Sequence, residues 1–206
     1  MSKMSKAIAV LGVVAGLGVA ALPLSSYAAG GAQASKSAQV KAQVEGAISI
    51  DIVEPTTATN PTGVVLDAAG ASLDLGTLKI NAAPTSGTMG VRVATNNATG
   101  YTLGIKASSA TDMVGSDGAE GFTIPANANV VAGTAGWAYK GGLISSNTAI
   151  STSDATLANV NTALTGDEVD GKKTDVTEVT FTVAADSTTH DGTYTGTVIF
   201  TATAND

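Results

Sequence analysis

The chain has 206 residues, 17 acidic against 10 basic side chains, a formal net charge of −7, one histidine and no cysteine. Without cysteine there is no disulfide framework, cysteine-ligated metal site or thiol nucleophile, and a single histidine excludes a two-histidine zinc motif. The acidic balance argues against nucleic acid as a partner, because like charges repel the phosphate backbone. With 44% hydrophobic and 13% charged residues, the chain is expected to fold.

The first 28 residues have the three parts of a secretory signal peptide. Two lysines precede an apolar stretch over 7–24, and small residues at 26 and 28 fit cleavage after Ala28, with Ala34 as an alternative site. An uncleaved anchor is disfavoured because the stretch is rich in Gly and Ala and is broken by Pro23. We therefore predict a signal peptide over 1–28, a flexible leader over 29–37 and a domain over 38–206 at the surface of a bacterium or secreted from it, with no membrane span after cleavage.

The rest of the chain has the two-residue period of β-strands. Apolar or small residues occupy every even position from Val40 to Ile52. Further alternating runs lie over 89–93, 101–105, 179–183 and 194–202, and we expect the last two to pair as a hairpin. In the run over 73–80 the apolar parity changes at Gly76, which predicts a bulge.

Turn signals separate these runs at short intervals. The one candidate helix is 154–164, where Leu157, Val160 and Leu164 follow a helical spacing. Residues 108–135 and 145–175 are predicted to be long loops, which are places where such folds carry binding function. We predict an all-β fold: an antiparallel, immunoglobulin-like β-sandwich of about eight strands with at most one short helix.

Aromatic residues are scarce and give the candidate site. Tyr101 and Leu103 share one face of a predicted strand, and Trp137 and Tyr139 share one face of another. Core packing is one interpretation of these four residues. The functional interpretation is a ligand-binding surface on which sugar rings stack, because flat apolar faces suit saccharides.

The other motifs indicate turns and not catalytic, phosphate-binding or metal-binding sites. His190 lies in a predicted turn without a nucleophile motif, and the glycines of 115–121 lack the following Lys-Ser/Thr of a phosphate loop. The acidic segment 166–171 fails the ligand spacing of an EF-hand and leaves only a weak surface calcium site as an alternative. Carboxylate pairs show no diagnostic spacing. We therefore predict no catalytic residues, no resident metal and no cofactor.

The sequence resembles the WxL-type surface domains of Gram-positive bacteria. The resemblance rests on VRVATNNATGYTL over 91–103, on Trp137, and on VTFTV and GTYTGTVIF over 179–183 and 192–200. Tyr101-Thr-Leu103 stands where the family has its first Trp-x-Leu, and Trp137-Ala-Tyr139 where it has its second motif. The sequence is also similar to uncharacterised surface proteins of small-genome bacteria.

The resemblance implies a secreted, non-enzymatic β-sandwich that associates non-covalently with peptidoglycan or with other surface proteins. The alternative is a fimbrial or coat-type subunit. In that case the alternating segment 40–52 would complete the sheet of a neighbouring subunit by strand exchange. The sequence does not decide the oligomeric state.

Overall fold

The computed structural model describes residues 46–56, 64–67 and 70–206, which belong to one compact unit, Gln43–Asp206. The predicted signal peptide and leader lie outside the described residues, as does the first half of the alternating segment 40–52. The described residues form antiparallel β-sheets without a helix. The strands are β1 Ile48–Val53, β2 Val64–Asp67, β3 Gly70–Leu73, β4 Thr85–Thr95, β5 Tyr101–Ala107, β6 Met113–Ser116, β7 Thr123–Ile124, β8 Gly136–Gly141, β9 Ile144–Ala149, β10 Ala155–Val160, β11 Glu168–Val169, β12 Lys172–Ala184, β13 Thr193–Thr195 and β14 Val198–Ala204.

Two sheets face each other across one core, so the all-β sandwich is confirmed. The larger sheet has the order β1-β4-β12-β8-β9, with β11 paired to the beginning of β12, and the smaller sheet has the order β10-β5-β14. The core lies between them and is built from the apolar positions of both sheets, among them Val91, Val93, Leu103, Ile105, Leu157, Val179, Phe181 and Val183. Two further small sheets have the orders β13-β6-β7 and β2-β3.

Strands β4 and β12 form the longest pairing in the larger sheet. Its antiparallel register runs from Thr95 opposite Lys173 to Thr85 opposite Val183. Apolar residues of β12 alternate with threonines, as a strand covered on one face by the core requires. On the other face, Thr180 and Thr182 exchange hydroxyl hydrogen bonds of 2.8 and 2.9 Å with Thr88 and Ser86 of β4. These cross-strand pairs help to fix the register.

The predicted hairpin between 179–183 and 194–202 is wrong. Both segments are strands, but β12 pairs with β4 and β8 in the larger sheet, whereas β14 pairs with β5 in the smaller one. The second segment is also interrupted at Gly196 and Thr197, between β13 and β14. The chain therefore crosses from one layer of the sandwich to the other between β12 and β14. Each strand then places an apolar face in the shared core from its own sheet, as Phe181 of β12 and Phe200 of β14 do.

The predicted helix over 154–164 is also wrong, because residues Ala155–Val160 form strand β10 against β5. The register places Thr156 opposite Gly104 and Ala158 opposite Leu103, so Leu157 is an extra, bulged residue. The bulge shifts the inward-facing positions by one residue. Two inward-facing residues of this strand are therefore three positions apart. This spacing resembles the periodicity of a helix, which explains the wrong prediction.

The run over 73–80 contains a turn where a bulge was predicted. Strand β3 ends at Leu73, and Gly76 has φ +72°, a left-handed conformation that glycine adopts without strain. The backbone N–H of Gly76 donates to Oδ1 of Asp74 at 2.7 Å, which closes an Asx turn. Leu75 and Leu78, on either side of Gly76, both pack against the core without strand pairing.

The two predicted long loops contain short strands. The segment 108–135 includes β6 and β7, and the segment 145–175 includes most of β9, all of β10 and β11, and the beginning of β12. Between β7 and β8, Val130 packs with Ala138 and Ala184 on the face of the larger sheet that points away from the main core. The described residues contain no helix long and apolar enough to cross a membrane.

Candidate functional site

The four residues predicted for a stacking surface lie in the core. Tyr101 and Leu103 are fully buried, and Trp137 and Tyr139 are only 4% and 2% exposed. The packing interpretation of these residues therefore describes what the structure shows. A saccharide needs an exposed ring face on which to stack. None of the four presents one, so the stacking surface expected from the sequence is not found at these positions.

Tyr101 joins the two layers of the sandwich. It begins β5, and its hydroxyl donates to Oδ2 of Asp175, in β12 of the opposite sheet, at 2.7 Å. Burial raises the pKa of Tyr101 well above its usual value, and the hydrogen bond to the Asp175 carboxylate raises this pKa further. The tyrosine therefore stays protonated and serves as a structural hydrogen-bond donor.

Trp137 is held on several sides. Its Nε1–H donates to the backbone oxygen of Thr111 at 2.9 Å, which satisfies the indole donor inside the protein. Its ring stacks near Phe181 of β12 with centroids 6.4 Å apart, and Phe181 also lies 6.5 Å from Tyr139. These contacts make the three rings one aromatic layer of the core.

A groove beside these core residues is the candidate functional site. It has a volume of about 700 Å³ and lies between the turn segment 73–80 and the connection that leads from β12 into β13. We call it the end groove, because it is lined by Val183, next to the last residue of β12, and by Ala185, which follows the strand. The segment 73–80 contributes the apolar residues Leu73, Leu75, Leu78 and Ile80, and Met113 of β6 adds to the apolar lining.

The apolar side of the end groove is continuous with the core. Leu73, Leu75, Leu78 and Met113 pack against the core cluster and are only half-buried. Ile80 is 54% exposed. A ligand that covers these side chains would gain hydrophobic burial without any change in the core.

The segment 189–194 gives the end groove its polar lining. It includes Thr189, His190, Asp191, Thr193 and Tyr194. The hydroxyl of Tyr194 donates to the backbone oxygen of His190 at 3.0 Å, which ties the strand β13 to the preceding turn. A groove that presents both apolar and polar side chains can bury part of a ligand and orient it by hydrogen bonds.

An exposed aromatic stack borders the polar side. The ring of His190 lies on the ring of Phe122, with centroids 3.5 Å apart and planes inclined by 21°. Phe122 precedes β7 and is 41% exposed. Trp137 and Tyr139 were selected from the sequence because aromatic residues are scarce. Phe122 was missed because it lies in a segment that was predicted to be a loop. Only its contact with His190 identifies it.

The charges around the end groove are mainly negative. Asp74 and Asp191 line it, and no lysine or arginine does so among the residues that the structure describes. Asp186 precedes the lining residue Thr189, and hydrogen bonds from the Thr188 side chain and backbone lower the pKa of Asp186 below its usual value. The Asp186 carboxylate therefore stays ionised beside the groove.

The other predicted motifs are turns in the structure. In the segment 166–171, Asp170 and Gly171 both have positive φ, as a tight hairpin between β11 and β12 requires, and Glu168 pairs with Lys173 at 3.5 Å. The segment 115–121 is the turn between β6 and β7. Over the described ranges, no group of three or more His, Asp or Glu side chains is arranged to hold a metal ion.

No protein-family model and no curated protein sequence matches the chain. The WxL resemblance stays a prediction from the sequence.

Proposed function

We propose that this chain is a secreted, non-enzymatic bacterial surface protein that associates non-covalently with the cell wall or with partner surface proteins, and that the end groove is its attachment site. The observation that carries the proposal is the groove itself. A solvent-open cavity of about 700 Å³ with one apolar and one polar side is suited to holding a ligand. The predicted signal peptide and the WxL resemblance support the location at the cell surface.

The surroundings of the single histidine favour binding over catalysis. A general base needs a hydrogen-bonded partner that orients its ring. His190 instead stacks on Phe122. No side chain of the described residues forms a hydrogen bond with its imidazole. The ring is better placed to contact a ligand than to move a proton.

Wall association is tested by incubating the protein with purified sacculi and measuring the pelleted fraction. The groove variant is Ile80→Ser, and the matched control is Leu143→Ser, because both remove an exposed aliphatic side chain. Leu143 is 66% exposed and does not line the groove. We expect about fivefold weaker pelleting for Ile80→Ser, since partial burial of an isoleucine contributes about 1 kcal/mol.

The Leu143→Ser control should pellet like the wild type. If the wild-type protein stays in the supernatant, wall association is wrong. If both variants pellet equally well, the protein binds the wall through another surface.

The alternative is a structural subunit that assembles by strand exchange, and the outer strands of the sandwich favour it. Among the described strands, β1 pairs only with β4, and β14 pairs only with β5. Ile50 of β1 is 39% exposed, although its neighbours Ile48 and Ile52 on the same face pack against the core. Such an edge can accept a strand from another chain. Filaments by negative stain would support this function, and a monomer at all concentrations would contradict it.

A further inference from the structure

We propose that the end groove binds a primary ammonium group carried by the short peptide of the wall polymer, and that Asp191 is the carboxylate that faces this group. The inference rests on the proposed function and names the part of the wall that the groove holds. Three features carry it: the charge of the groove, its apolar side and its size.

The first feature is an unpaired carboxylate. Asp191 is exposed and lines the groove, and no described residue forms a hydrogen bond or an ion pair with its side chain. The ion pairs Arg92–Asp51, Lys106–Asp154 and Lys173–Glu168 do not involve Asp191. Lys79 is exposed between two lining residues but does not itself line the groove. Asp191 therefore gives the groove a negative charge that has no counter-ion among the described residues, which favours a cationic ligand.

The second feature is the apolar lining that shares the groove with Asp191. A diamino-acid side chain has an aliphatic stem and an ammonium head, and such side chains bury the stem while the head stays at a polar surface. Leu75, Leu78 and Ile80 would contact the stem, and Asp191 would receive the hydrogen bonds of the head. A neutral saccharide would leave the carboxylate without a charged partner.

The third feature is size. A cavity of about 700 Å³ falls within the range of small-ligand pockets, about 300–1,000 Å³. A stable interface with a folded protein buries about 800 Å² on each partner and needs a broader surface. The volume therefore favours a short peptide that belongs to a polymer over a lysine presented by a folded surface protein.

The experiment compares sacculi whose stem peptides carry free primary amines with the same sacculi after acetylation by acetic anhydride. Acetylation removes the positive charge and leaves the glycan strands intact. We expect the wild-type protein to pellet about threefold to fivefold more weakly with acetylated sacculi, as for the loss of a partly exposed ion pair. Asp191→Asn should bind free-amine sacculi as weakly as the wild type binds acetylated sacculi, and acetylation should not weaken it further.

The matched control is Asp170→Asn, which removes an exposed carboxylate from the β11–β12 hairpin, where asparagine tolerates the positive φ. This variant should keep the full sensitivity to acetylation. Equal pelleting of the wild type with both kinds of sacculi would overturn the inference and leave wall association standing. Equal losses for Asp191→Asn and Asp170→Asn would overturn the role of Asp191. Absence of pelleting in every sample would contradict the proposed function itself.

Discussion

Gly196 shows how closely the core is packed around the single tryptophan. A Cβ atom on Gly196 would lie 2.7 Å from Cη2 and 3.0 Å from Cζ2 of Trp137. The indole cannot move away easily, because its Nε1–H is bonded to Thr111 and its ring packs near Phe181. The break between β13 and β14 therefore lies where a side chain has no room.

We expect Gly196→Ala to lower the free energy of unfolding by about 1–3 kcal/mol, the usual cost of overpacking. The control is Gly104→Ala in β5, where the nearest atom to an added Cβ is 3.7 Å away. It should change stability by less than about 1 kcal/mol. Urea unfolding followed by the fluorescence of Trp137 measures both variants. Equal stability of Gly196→Ala and the wild type would contradict the packing described here.

At the site, the four candidate residues were selected from the sequence because aromatic residues are scarce. The scarcity of a residue type does not show whether its side chain is exposed. The two-residue period shows that Trp137 and Tyr139 share a face of a strand, but the face that meets the opposite sheet depends on the partner strands. The polar side of the end groove was partly visible, because His190 was placed in a predicted turn. The apolar side comes from the segment 73–80, which is distant in sequence, and no local pattern connects the two.

Among the elements, β10 is the one whose local sequence pattern predicts the wrong secondary structure. The strands that alternate regularly, such as β4, β5 and β12, are evident in the sequence, because one face of each meets the core. In β10, the bulge at Leu157 changes which positions face inward, and only the register against β5 makes it visible. The partner of each strand was likewise hidden, because pairing across the sandwich depends on contacts distant in sequence.

Substitutions in β10 test whether Leu157 lies in the core. Leu157 is fully buried, so Leu157→Ala should cost about 2–5 kcal/mol of unfolding free energy. Asn159→Ala, at an exposed position of the same strand, should change it by about 0.5 kcal/mol or less. Chemical denaturation compares the two variants. Similar costs at both positions would contradict the assignment of Leu157 to the core.

At the scale of the whole molecule, the free energy of unfolding depends on pH through two buried tyrosines. Burial raises the pKa of Tyr101 and of Tyr139 above the usual value of 10.0, and the hydrogen bond to Asp175 adds to the effect at Tyr101. Both groups hold their protons more tightly in the folded state than in the unfolded state. Their contribution to stability is therefore fully present below pH 10 and is lost as the pH rises toward the folded-state pKa values.

We expect the free energy of unfolding to fall above pH 10 by up to about 1.4 kcal/mol per pH unit for each of these two tyrosines. The measurement is denaturant unfolding at several alkaline pH values, with tyrosinate absorbance recorded in parallel. Tyr101→Phe should reduce the slope, because one of the two groups is removed. Full tyrosine ionisation at the usual pKa in a protein that keeps its native circular dichroism would contradict this linkage.

The position of β12 has a consequence for how the chain acquires its structure. This strand lies at the centre of the larger sheet but near the end of the sequence, whereas its partner β4 lies much earlier in the sequence and is synthesised first. A chain that emerges from a ribosome or a translocation channel N-terminus first therefore carries β4 with one unsatisfied edge until β12 follows. The central strand arrives late, so this domain cannot complete its fold before nearly all of it has emerged.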